Sequence, residues 1–195
     1  MPDNTRADSL SQARVPVVGF AAYSGTGKTT LLTHLIPILR GRGIRLAGIK
    51  HSHHKFDIDQ PGKDSYRLRK AGIDQMLVAS RCRWALMVEN ASGATEPRLD
   101  ELIGHIDQSQ VDLILIEGFK HEDFPKIELH RPALAHPLLC PEDPQIIALA
   151  SDAPVAAPDC NDLVRLNLND PPAIAEFLIQ RFALPASAVT ADEKP

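Results

Sequence analysis

Three short stretches carry residue types suited to phosphate chemistry. The first reads Ala22-Tyr23-Ser24-Gly25-Thr26-Gly27-Lys28-Thr29-Thr30. Gly25 and Gly27 let the backbone bend so that successive N–H groups converge on an anion. Lys28 is placed to reach β- and γ-phosphates as a point charge, and Thr29 offers a hydroxyl to Mg2+, a hard cation that takes oxygen ligands. Nucleotide contacts are therefore expected from Ser24, Gly25, Thr26, Gly27, Lys28, Thr29 and Thr30. The strict spacing of a phosphate loop asks for glycine at position 22, where this chain has Ala22; alanine fits there if φ stays negative. The second stretch is Leu113-Ile114-Leu115-Ile116-Glu117-Gly118, four large apolar residues ending in an acid. That pattern fits a buried parallel strand delivering a carboxylate to a ligand edge, where Glu117 would hold Mg2+ or its water. The bland alternative is a strand-end acid making structural hydrogen bonds. Lys28 and Glu117 are the catalytic candidates, and Thr29 and Glu117 the metal candidates. The third stretch, 145–152, is another apolar run ending in an acid, Asp152, whose carboxylate could accept the two adjacent donors of a guanine. No Asn-Lys-x-Asp guanine signature occurs, so the residues alone leave the base open.

The flanking segments must position these groups. Val15, Val17, Val18 and Phe20 predict a buried strand, with Pro16 near its start, and Leu31, Leu32, Leu35, Ile36 and Leu39 recur at helical spacing. Pro37 is expected to kink this helix or end it early. Ile44–Ile49 predicts a second strand, parallel to the first and its neighbour. The segment Lys50-His51-Ser52-His53-His54-Lys55 follows at the ligand edge; anion binding, a solvated loop and metal binding are all open readings. Asp57, Asp59 and Asp64 lie in or beside a polar loop, where they serve either as a Mg2+-sensing switch or as turn residues. Gln75–Ala79 and Trp84–Glu89 predict a hairpin beside the parallel sheet. Further elements are a helix from Leu99, strands at Lys126–Leu129 and Val164–Leu168, and a final helix capped by Asp170. The fold class expected is α/β, P-loop NTPase-like: a mostly parallel sheet flanked by helices, with an added antiparallel hairpin.

With 195 residues, 44% hydrophobic and 24% charged, the composition is that of one ordinary globular domain, placed at residues 15–184 between mobile tails at 1–14 and 185–195. A net charge of −4 without a basic block argues against a nucleic-acid partner. No run approaches the roughly 18 apolar residues of a membrane span, and the first 14 residues lack a signal-peptide core, so a cytoplasmic location is expected. Cys82, Cys140 and Cys160 are far apart and suggest neither a disulfide framework nor a zinc site; they read as structural thiols.

Three pieces together resemble one family: Tyr23-Ser-Gly-Thr-Gly-Lys-Thr-Thr30, the run Ile49-Lys-His-Ser-His-His54 continuing to Pro61-Gly-Lys-Asp-Ser65, and Leu115-Ile-Glu-Gly-Phe-Lys-His-Glu122. The chain resembles the MobB family, GTP-binding accessory proteins of molybdopterin-guanine dinucleotide biosynthesis. The resemblance implies a homodimer, GTP and Mg2+ as cofactors, slow GTP hydrolysis, and partnership with the MobA-like guanylyltransferase that joins GMP to molybdopterin. It assigns nucleotide binding to Gly25 through Thr30 and magnesium to Thr29 and Glu117. Molybdopterin itself is a candidate ligand; Arg81 and Arg83 could meet a phosphate or an acidic pterin, or serve simply as hairpin charges. Some related dimeric ATPases use a lysine where this chain has Tyr23, so activation across a dimer by such a lysine is not supported. Competing readings on the same fold are a small-molecule kinase, which would need an arginine-rich lid, and a metal-delivery NTPase using His51, His53 and His54.

Overall fold

A computed structural model describes residues 10–52, 56–90 and 96–187. The chain divides into two compact units: one from residues up to 51 and from 98 onward, the other from 52 to 97.

The larger unit is built on a six-stranded sheet in the order β2-β5-β1-β6-β7-β8. Its strands are β1 (Val17–Ala21), β2 (Leu46–Lys50), β5 (Leu113–Glu117), β6 (Lys126–His130), β7 (Ile146–Ser151) and β8 (Val164–Asn167). Every pairing among them is parallel. All carboxyl ends therefore open on one edge. The expected adjacency of the first two strands is corrected: β5 lies between β1 and β2 and pairs with both. Its four-residue apolar run, buried on both faces, makes it the natural inner strand.

The side-chain alternation of the inner strands separates two cores. Val18 and Phe20 of β1 and Leu113 and Leu115 of β5 face Leu31, Leu35 and Leu39 of α1 (Lys28–Gly41) and Ile174 and Leu178 of α4 (Pro171–Arg181). Val17, Ile114 and Ile116 face the other side, against Leu99 and Ile103 of α3 (Leu99–Gly104), Phe119 and Phe124. Gly19 is required at this second face, because a Cβ there would lie 2.4 Å from the Phe124 ring. Pro37 neither ends nor shortens α1, which continues to Gly41. Its lost N–H is offset by Leu35 and Leu39, both fully buried on either side of it.

β6 is buried on both faces yet alternates in polarity. Ile127 and Leu129 enter the first core, while Lys126, Glu128 and His130 are buried on the other side. Lys126 donates to Asp143 at 2.9 Å and to the Glu122 carbonyl at 2.7 Å, and Glu128 accepts the backbone N–H groups of Leu139 and Cys140. Burial pushes the Glu128 carboxyl above its usual value despite those two donors. The expectation of three free thiols is also corrected: Cys140 and Cys160, 20 residues apart, form a disulfide across a small core with Leu149 and Ala157, and only Cys82 is free among the described residues. Pairing at such spacing follows from how the chain folds back around β7, which sequence separation does not reveal.

Of the segment expected as an N-terminal tail, residues 10–14 are described. Ser11 and the Gln12 N–H donate to Asp100, and Leu10 and Ala13 border the second core. At the other end, the Ser187 N–H donates to the Arg42 carbonyl.

The smaller unit holds α2 (Asp64–Lys70) and the hairpin of β3 (Gln75–Ala79) and β4 (Trp84–Val88), a two-stranded antiparallel sheet of its own. Arg69, its side chain only 6% exposed, is ion-paired with Asp57, Asp59 and Glu89. Asp57 and Asp59 thus act as structural partners of a buried guanidinium, and Asp64 begins α2.

Candidate functional site

The phosphate-loop sequence joins β1 to α1 at the carboxyl edge of the sheet. Gly25 and Gly27 adopt φ of 81° and 98°, the left-handed region where a side chain is strained. Ala22 is not among the described residues with positive φ, which is the condition under which alanine replaces the usual glycine. Thr26, 2% exposed, closes the turn: its N–H and its hydroxyl both reach the Tyr23 carbonyl, the latter at 2.9 Å. Gly27 then caps α1 without a side-chain acceptor, leaving that helix end's N–H groups and partial positive charge to the solvent edge. No acidic residue stands in the first turn of α1 to compete with an anion.

Register brings the second stretch to the same edge. Glu117, last residue of β5, pairs with Phe20 of β1 on one side and Lys50 of β2 on the other. Its carboxylate lies 3.9 Å from the Lys28 ammonium and 3.3 Å from that of Lys50. The chain turns sharply beyond it: Gly118 has φ 103° and Phe119 φ 53°, and a Cβ on Gly118 would lie 2.6 Å from that of His51. The Glu117 carbonyl accepts the His51 N–H at 2.8 Å, and the His51 and Phe119 rings stack at 4.6 Å. The sequence Lys50-His51 is thereby fixed beside Glu117-Gly118-Phe119. His53, His54 and Lys55 fall outside the described residues.

Asp152 follows β7 and borders an open cavity of about 580 Å³, lined also by Ala153, Val155, Asn161, Arg165 and Asn167. The cavity holds carboxylate, amide and guanidinium groups beside apolar walls. Asp152 does not stand free in it: its Oδ2 accepts from Arg131 at 2.6 Å. The same guanidinium donates from Nε to the Thr26 carbonyl of the phosphate loop at 2.8 Å.

A family profile described as "MobB: Molybdopterin guanine dinucleotide synthesis protein B" matches residues 17–152, most of the chain. This chain belongs to the MobB family. It is similar to the molybdopterin-guanine dinucleotide biosynthesis adapter protein of Escherichia coli K12, at 50% identity over 167 residues, covering 85% of this chain and 93% of the relative. The corresponding adapter protein of Haemophilus influenzae is 43% identical, over 85% of this chain and 88% of its own length. In fold the chain is similar to the crystal structure of Bacillus subtilis MobB, with a TM-score of 0.63 at 22% identity over 86% of this chain and 98% of that one. A MobB homologue from Bacillus stearothermophilus gives 0.60 at 22%, over 86% and 97%.

For this MobB-family chain, the fold unites phosphate loop, Lys28, Glu117 and Asp152 at one sheet edge, as the strand-end positions anticipate. Arg131 is the residue at this edge that sequence patterns miss. Arg131 carries no spacing signal because its partners, Thr26 and Asp152, come from different loops. Tyr23 stacks on His136 at 4.6 Å, so the segment after β6 touches the phosphate loop at two points. The His130 imidazole at the end of β6 is held below its ordinary pKa by burial, partly opposed by the Asp152 charge and reinforced by His136.

Proposed function

We propose that this protein is a GTP-binding adapter of molybdopterin-guanine dinucleotide biosynthesis, acting on behalf of the guanylyltransferase that attaches GMP to molybdopterin. Support comes from family membership, the adapter name of relatives at 50% and 43% identity, and a phosphate loop of the geometry described above. The single observation carrying nucleotide binding is the left-handed backbone at Gly25 and Gly27 ahead of the acid-free first turn of α1, with Lys28 beside Glu117.

In this reading Ser24, Gly25, Thr26 and Gly27 offer backbone donors to the phosphates, Lys28 and Lys50 supply positive charge, and Thr29 and Thr30 add hydroxyls. The carboxylate of Glu117 and the hydroxyl of Thr29 are hard oxygen donors, which suits Mg2+, and these two residues would hold it. Bound there, the ion would neutralise phosphate charge. The cavity at Asp152 takes the base, with the carboxylate reading guanine's adjacent donors. Hydrolysis is weak in this reading: phosphoryl transfer depends on positioning and charge, and among the described residues no water-orienting glutamine is identified at the site.

A homodimer is the assembly proposed. Its support is the hairpin face carrying Leu77, Trp84, Leu86 and Val88, which register places on one side and which are 58%, 69%, 46% and 52% exposed. The adapter role is tested by purifying the untagged guanylyltransferase with and without this protein, then following dinucleotide formation from GTP and molybdopterin. Co-purification and faster formation are expected; no association and no change in rate would refute the role.

A further inference from the structure

Arg131 bridges the two halves of the proposed nucleotide site. It follows the buried strand β6 directly, so its backbone is anchored in the sheet. Its Nε–H donates to the Thr26 carbonyl at 2.8 Å and its Nη1 to Asp152 Oδ2 at 2.6 Å. The guanidinium also lies against Gly27, where a Cβ would stand 3.5 Å from Nη2. A planar fork holding two acceptors at once is a task for arginine rather than lysine.

The consequence for the phosphate loop follows from peptide geometry. The peptide joining Thr26 to Gly27 is trans, so its C=O and N–H point in opposite directions. Pinning the Thr26 carbonyl to Arg131 therefore turns the Gly27 N–H away from Arg131. A phosphate loop binds through N–H groups that converge, and Gly27, with no Cβ to restrict φ, would otherwise let that peptide plane rotate. The other end of the same guanidinium fixes the carboxylate that borders the cavity at Asp152.

We propose that Arg131 is a positioning residue that couples the phosphate loop to the nucleobase cavity, orienting the Gly27 N–H through Thr26 and the Asp152 carboxylate through the second arm of its guanidinium. The base half of this inference rests on the reading of the Asp152 cavity given above; the phosphate half does not. Occupation of either subsite stiffens the bridge and so favours the other.

The test is calorimetric titration of wild type, Arg131→Ala, Arg131→Lys, Asp152→Ala and the double variant with Mg-GTP, Mg-ATP and inorganic tripolyphosphate, after thermal melts confirm folding. Arg131→Ala is expected to weaken both GTP and tripolyphosphate at least about tenfold, the worth of one charge-assisted hydrogen bond. It should also narrow the preference for GTP over ATP. Arg131→Lys keeps the charge without the fork, so the preference should stay narrowed; full recovery would reduce Arg131 to a point charge and overturn the proposal. The losses of Arg131→Ala and Asp152→Ala should be less than additive in GTP affinity, and additivity would overturn the coupling. Wild-type affinities in a folded Arg131→Ala would overturn the whole. Should the alanine variant not fold, the Gly27 amide resonance of Arg131→Lys decides: its response to tripolyphosphate should differ from wild type, and an identical response counts against the bridge. Equal wild-type affinity for GTP and ATP would refute the guanine reading alone, since the tripolyphosphate comparison stands apart from it.

Discussion

Glu117 sits between two ammonium groups, Lys28 at 3.9 Å and Lys50 at 3.3 Å, so its charge sets what both lysines can offer a phosphate. In Glu117→Gln the lysines lose their anionic partner while the candidate metal site loses its carboxylate. Nucleotide affinity in EDTA should rise or hold, and the gain on adding Mg2+ should disappear; an unchanged Mg2+ gain would remove Glu117 from the metal site. His130 offers a second test at this scale. Burial holds its folded pKa below the ordinary value, with Asp152 and His136 the charged neighbours acting on it. The unfolded chain therefore binds the proton more readily, and stability falls as pH drops from about 6.5 toward the depressed folded value. Thermal melts at pH 7 and pH 5 should show a larger loss in wild type than in His130→Gln, and equal losses would contradict this assignment.

Among the elements, β1 and β5 place the chemistry because both of their faces are buried. Gly19 is the tightest point of that packing: Gly19→Ala would put a methyl 2.4 Å from the Phe124 ring. Overpacking of this kind costs about 1–3 kcal/mol, so the melting temperature should fall by several degrees with the phosphate loop otherwise intact. An unchanged melt would show that Phe124 yields freely. What was legible in the sequence follows the same physics. The run 113–117, the strand before the phosphate loop and the hairpin at 75–88 announce themselves through local pattern, and each stands where the pattern puts it. The insertion of β5 between β1 and β2 was not legible, because strand order depends on which apolar face is left to fill. Of the two effects expected of Pro37, the early end does not occur, because propensity yields to the burial of Leu35 and Leu39. The partners of Arg131 and the pairing of Cys140 with Cys160 join residues distant in sequence, and no local period encodes them.

At the scale of the whole molecule, the sheet edge gathers a phosphate loop, an acid with two lysines, and a cavity bounded by Asp152, the layout of a nucleotide-binding domain. The smaller unit contributes a different kind of surface, the apolar hairpin face of Leu77, Trp84, Leu86 and Val88. If that face joins two copies, Leu86→Asp should shift the sedimentation coefficient from dimer to monomer while GTP affinity stays in place; a variant that remains dimeric would move the interface elsewhere. The resemblance of motifs at 23–30, 49–65 and 115–122 narrowed the reading from any phosphate-loop protein to one family, and the match over residues 17–152 bears that out. Nucleotide binding at the Gly25–Thr30 loop is the claim on which the adapter role depends. Its most direct measurement is calorimetric titration of Mg-GTP and Mg-ATP into wild type and Lys28→Ala. Wild type is expected to bind GTP more tightly than ATP, and Lys28→Ala, with an unaltered melt, to bind neither; wild-type GTP affinity in Lys28→Ala would contradict the role of this loop.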